Sequence, residues 1–256
     1  MKSADETPER SRGFGFSKIF MAALCLAALL GVVVYVKLIT LPGSRENSDS
    51  GMIEGKDASP VIYAALGDST GVGVGARDGE GGYPARLLAR IKEVRPGSRL
   101  TNHCVSGATT TDVLRSQIEP ALGSRPTLIT LGIGINDVGR QMDVETFARN
   151  YETIITRLKA ANAPIVVTNI PDVSLAPVIP VNLRAEYSRR IVSFNERIND
   201  IASRHNLLVV DAHRATQETI PSRPEFFSDD GFHPSEAGYK YWAEAMWPTV
   251  KKALRE

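Results

Sequence analysis

The chain has 256 residues, of which 43% are hydrophobic and 23% charged, with 30 Lys+Arg against 29 Asp+Glu. That composition excludes a disordered chain and a polytopic membrane protein, and a net charge of +1 lacks the basic excess of a nucleic-acid binder. Two cysteines allow at most one disulfide, so no disulfide framework holds the fold. The first element is an uncharged run from Ile19 to Val36, bracketed by Lys18 and Lys37. As a helix at ~1.5 Å per residue it would span about 27 Å, close to the hydrocarbon thickness of a bilayer. A buried core helix, a cleaved signal peptide and a signal anchor compete for this run. It is apolar on every face, which argues against a core helix. Its length, and the lack of a small-x-small site at its exit, favour an anchor over residues 19–41, with secretion after cleavage as the alternative.

Lys2, Arg10, Arg12 and Lys18 precede the run, which orients residues 1–18 to the cytoplasm and the remaining chain outside. Residues 42–59 are rich in Gly, Ser and charge and read as a flexible tether. A globular domain then occupies 60–256. Its candidate strands are Val61–Leu66, Arg99–Val105, Thr127–Leu131, Ile165–Ile170 and Leu207–Val210, several of them nearly continuous in apolar residues. Between and after them, Pro84–Val94, Thr111–Leu122, Val144–Ala161, Leu183–His205 and Ser235–Leu254 carry apolar residues at helical spacing. This alternation predicts a three-layer α/β fold on a parallel sheet, with chemistry beyond the carboxyl ends of the strands.

Three of those ends, and the approach to the last helix, carry reactive residues. The first strand leads into Gly67-Asp68-Ser69-Thr70, the second into Ser106-Gly107, and the third into Gly134-Ile135-Asn136-Asp137. Asp230-Gly231-Phe232-His233 precedes the last helix. Acyl transfer needs a nucleophile, a base, a group that orients the base and donors for an oxyanion, and all four types are present. Gly71-x-Gly73-x-x-Ala76 also fits a loose dinucleotide fingerprint. The stretch Asp78–Gly82 that follows separates it from any helix and brings two carboxylates where phosphate would sit. His213, in Asp211-Ala212-His213, rivals His233 as a base; His103 reads as a packed core residue and His205 as a helix-end cation. Cys104 reads as a small buried hydrophobe, and Asp68 and Asp137 as structural hydrogen-bonding groups.

These blocks, in this order, resemble the SGNH/GDSL hydrolase superfamily: Gly67-Asp68-Ser69, Gly107, Gly134-x-Asn136-Asp137 and Asp230-x-x-His233. Thr70 stands where many members have Leu, and Ile135 where many have Gly. The resemblance runs from Ala64 to the C-terminal helix and implies a flavodoxin-like α/β/α sandwich with five parallel strands. It implies an ester hydrolase in which Ser69 is the nucleophile, His233 the base and Asp230 its orienting group. Ser69 and Gly107 N–H groups with the Asn136 amide would form the oxyanion hole. No metal or organic cofactor is implied, and the expected partners are an ester substrate and the membrane, not nucleic acid. The loop Pro171–Val181 and Phe226-Phe227 are candidates for an acyl groove or, equally, for packing on the core. An esterase or lipase-like activity is therefore expected. The alternatives are a carbohydrate O-deacetylase or acyltransferase of the cell envelope, and a non-catalytic binding module.

Overall fold

A computed structural model of the protein describes residues 59–255. The expected cytoplasmic tail, the anchor and nearly all of the tether lie outside the described residues. Among the described residues no helix is long and apolar enough to cross a membrane. Five strands, β1 (Ile62–Gly67), β2 (Arg99–Asn102), β3 (Leu128–Gly132), β4 (Ile165–Thr168) and β5 (Leu208–Val210), form one sheet. Its order is β2-β1-β3-β4-β5 and every neighbouring pair is parallel. That is the flavodoxin order, whose switch point lies between β1 and β3.

Because side chains alternate across a strand, each strand feeds two cores. Ala64, Leu66, Ile129, Leu131, Ile165 and Val167 face one side. There they meet the helices α3 (Thr110–Asp112) and α4 (Ile118–Gly123), joined by a π turn at Val113–Gln117, and α6 (Val144–Leu158) and α7 (Val181–His205). Tyr63, Ala65, Leu128, Val166 and Val210 face the other, against α2 (Tyr83–Val94) and α9 (Glu236–Ala253). The result is a three-layer sandwich. Three short helices complete it: α1 (Ser69–Val72), α5 (Ile135–Gly139) and α8 (Ala212–Thr219).

Local chemistry sets the boundaries. The Asp143 side chain accepts the Thr146 N–H to start α6, and Ser235 Oγ accepts the Gly238 N–H to start α9. Asn206 ends α7 in the left-handed conformation at φ +55°. β2 is shorter than the expected Arg99–Val105. Asn102 Oδ1 accepts the Cys104 N–H, turning the chain at the sheet edge, although His103 and Val105 still donate to Ala65 and Gly67. α8 has no counterpart among the expected helices, because its apolar residues are only Ala212 and Ala215, of which Ala212 alone is buried.

Candidate active site

Ser69 is delivered by the end of β1. Gly67 closes the strand at φ +154°, and a Cβ there would lie 2.3 Å from the Gly132 carbonyl oxygen of β3, so only glycine lets the strands run this close. Asp68 then caps α1, its Oδ1 accepting the Thr70 N–H at 3.0 Å and the Thr70 hydroxyl at 2.9 Å. Ser69 is the first residue of that helix and is 5% exposed. Ser69 thus stands in a capped turn, and a glycine-rich loop follows from Gly73 onward.

The base and its partner come from the loop before α9. His233 Nε2 lies 2.9 Å from Ser69 Oγ, and His233 Nδ1 lies 2.6 Å from Asp230 Oδ2. An ionised carboxylate only accepts, which assigns the imidazole hydrogen to Nδ1 and leaves Nε2 to accept the serine O–H. Asp230 is over-determined: Oδ1 also accepts from Ser228 Oγ, Phe232 N–H and His233 N–H at 2.8–2.9 Å. Partial burial pushes its pKa up, but the bonds from His233, Phe232 and Ser228 outweigh that and hold it well below the usual carboxylate range. A clasp joins this loop and α9 to the glycine loop after Ser69. Tyr239 Oη donates to the Val74 carbonyl at 2.7 Å, the Arg77 N–H donates to Glu236, and the Arg77 guanidinium pairs with Asp229.

Gly107 follows the second strand, and Arg140 Nη2 donates to its carbonyl at 2.9 Å. Asn136, on α5, donates one amide hydrogen to the Ala108 carbonyl at 2.9 Å, which ties it beside Gly107 and leaves its second hydrogen. Asp137 is fully buried and accepts the Thr110 N–H and hydroxyl, the latter at 2.6 Å. Burial raises its pKa, and burial raises that of Asp68 to about 6 against the lowering effect of the Thr70 bonds. Both aspartates thus hold the architecture around the serine.

His213, the rival base, is not brought to Ser69. Its N–H donates to Asn169 Oδ1, and its Nε2 lies 3.9 Å from Asp172 Oδ2 with no hydrogen-bond partner among the described residues. His205 pairs with Glu152, and His103 lies just beyond β2. Cys104 is half-buried, packs its sulfur against Gly71, and has its thiol pKa raised by burial. Ser228, Tyr239 and Gln117 escaped the sequence reading, since nothing in their local sequence shows that their side chains reach the backbone or carboxylate groups of the site.

From Ser69 and His233 an apolar cavity of about 100 Å³ runs past the ends of β4 and β5. Ile170, Val210, Ala215, Phe226, Trp242 and Ala245 are among its walls, as are Asp68, Pro171–Val173 and Phe227. The first part of the candidate loop Pro171–Val181 therefore lines a groove, as does the Phe226-Phe227 pair. Val178 instead donates its N–H to Gly231 and leaves its side chain half exposed.

A parallel three-layer sandwich with a Ser–His–Asp hydrogen-bond chain at its switch point is the geometry of a hydrolase acting through an activated serine. The sequence matches the GDSL-like lipase/acylhydrolase family over residues 65–241, and the chain belongs to that family. It is an ester-hydrolysing enzyme. An acetylxylan esterase of Geobacillus stearothermophilus is 29% identical over 199 residues, covering 71% of this chain and 90% of the relative. The esterase TesA of Pseudomonas aeruginosa is 24% identical over 199 residues, covering 78% of this chain and 92% of TesA. Among solved structures, a lipase/acylhydrolase of Enterococcus faecalis is 26% identical with a TM-score of 0.61, covering 75% of this chain and 96% of that one.

Proposed function

We propose that the protein is a membrane-tethered serine esterase that hydrolyses acyl esters, with Ser69, His233 and Asp230 as its catalytic triad. The reading is carried by the unbroken hydrogen-bond chain from Asp230 through His233 to Ser69 where it opens onto an apolar cavity. Ser69 Oγ attacks the acyl carbonyl while His233 Nε2 takes its proton. Asp230 keeps the imidazole tautomer and stabilises the imidazolium that forms. The oxyanion is held by the N–H groups of Ser69 and Gly107 and by the free amide hydrogen of Asn136, and losing one such donor typically costs ~10²–10³ in kcat. Collapse expels the alcohol, which takes the proton from His233. Water, deprotonated by the same imidazole, then releases the acid.

The apolar walls favour a lipidic acyl group, and the N-terminal run would hold the domain at the outer face of the membrane that supplies it. A carbohydrate O-deacetylase of the envelope is the second reading, favoured by the similarity to an acetylxylan esterase. Purified protein assayed on p-nitrophenyl esters from acetyl to palmitoyl separates the two. Activity rising to medium or long chains supports the lipidic reading, and activity on acetyl alone supports the deacetylase. Ser69→Ala should abolish hydrolysis and fluorophosphonate labelling with an unchanged Tm; full activity in that variant would sink the mechanism. For the tether, the full chain should stay with membranes through a high-salt wash and release only in detergent.

A further inference from the structure

We infer that Gln117 is a positioning residue for this reaction: its side-chain amide clamps the Gly67 peptide and so sets where Ser69 stands relative to Gly107. The inference rests on the reading of Ser69 as nucleophile and oxyanion donor. Gln117 is 1% exposed. Its Oε1 accepts the Gly67 N–H at 2.8 Å, and its Nε2 donates to the Gly67 carbonyl at 2.8 Å. One amide side chain thereby exchanges both bonds with one residue of β1, as a neighbouring strand residue does across an antiparallel pair. Gly67 also accepts the Val105 N–H at 3.1 Å and lies in register with Gly132 of β3. The peptide two residues before Ser69 is therefore fixed from three directions, and Gln117 supplies the one that comes from outside the sheet.

The other end of the same segment reaches the second backbone donor. The helix that carries Gln117 begins at Thr110, three residues after Gly107. Asp137 fixes the Thr110 N–H and hydroxyl, and Asn136 Nδ2 fixes the Ala108 carbonyl. Residues 107–117 thus form a braced spacer with one oxyanion donor at its start and a grip on the other donor's strand at its end. The π turn at Val113–Gln117 is what aims the grip. Each residue of an α-helix advances ~100° around the axis, so without the extra residue of the turn Gln117 would face away from Gly67 by about that angle.

The consequence falls on the transition state. Charge on the substrate oxygen develops only during attack, so a change in the spacing of its donors lowers kcat and leaves ground-state binding nearly untouched. A misplacement of ~1 Å in such a site can cost about 10²-fold. Gln117→Ala should lower kcat by about 10–100-fold and slow fluorophosphonate acylation in parallel, with KM within about twofold of wild type. Gln117→Glu gives a signature that a role in stability alone would not. A protonated carboxyl has one donor and one acceptor and remakes both bonds, whereas the ionised form cannot donate and repels the Gly67 carbonyl. The ratio of variant to wild-type kcat should therefore rise as pH falls for Gln117→Glu and stay flat for Gln117→Ala.

The test uses the purified full chain in detergent, with Tm recorded for each variant. Folded variants with kcat within about threefold of wild type would overturn the inference, as would a raised KM at unchanged kcat. A Gln117→Glu ratio that does not change with pH would overturn it too, and this arm decides if Gln117→Ala fails to fold. An active Ser69→Ala would instead overturn the nucleophile and this inference with it. An inactive Ser69→Ala beside unaffected Gln117 variants overturns the role of Gln117 alone.

Discussion

Asp68 and Asp230 both act electrostatically on His233, yet their surroundings drive their pKa values apart. Asp230 meets four donors and stays ionised, as the orienting role proposed for it requires. Asp68 is 2% exposed, and burial carries its pKa from 3.8 to about 6. Its folded-state value lies above the unfolded one, so the folded state holds the proton more tightly. Stability is then lost as pH rises from about 4 to 6, and the deficit is complete above that window. Asp68→Asn keeps an acceptor for the Thr70 N–H and removes the charge. Its Tm should exceed that of wild type well above pH 6, with the gap closing below about pH 4; a variant less stable at every pH would contradict this account. Ser69, Asp230 and His233 could be singled out in the sequence because they stand in blocks that resemble the superfamily's, and the structure brings the three into one hydrogen-bond chain. Ser228 and Gln117 were not, because their contacts depend on a tight turn and on one extra residue in a helix.

The short helix after β1 shows how closely the elements around the serine are fitted. Gly71 lies under the edge of the sheet, where a Cβ would sit 2.2 Å from Cys104 Sγ and 2.8 Å from its Cβ. Gly71→Ala should therefore cost about 1–3 kcal/mol, the usual range for an overpacked site. Cys104→Ala removes the nearer atom and should recover part of that loss. The two changes would be non-additive in a denaturation cycle, because they act through one contact. Additive losses would place the strain elsewhere. At this scale the strands were the most legible feature: buried on both faces, they read as apolar runs bounded by polar turns. Arg99–Val105 was overextended because the edge strand keeps its hydrogen bonds to β1 after its side-chain pattern has turned at Asn102. α8 was missed because the residues it turns to the cavity, Ala212, Ala215 and Thr216, are too small or too polar to signal burial.

Across the whole domain, the cavity belongs to no single element. β4 and β5 end at its side, α8 and α9 wall it, and the loop at Phe226 roofs it, so no stretch of sequence announces it. It follows α9 from Gly238 to Ala245, about 10 Å at ~1.5 Å per residue. Ala245→Phe should therefore shorten it from the far end. Hydrolysis of decanoyl esters should fall at least about tenfold relative to acetyl esters, consistent with a loss of more than one methylene's worth of pocket; an equal effect on both chain lengths would exclude this cavity as the acyl site. The hydrogen-bond chain from Asp230 through His233 to Ser69 also joins distant parts of the sequence, since Ser69 and His233 are separated by 164 positions. A ribosome adding ~5–20 residues per second needs about 8–33 s to travel between them. Throughout that interval Ser69 exists without His233, and the clasp through Tyr239 and Glu236 cannot form. With the proposed triad, the nascent chain is therefore chemically silent until its last helix emerges, a built-in delay that keeps the serine unarmed while the protein is still being made.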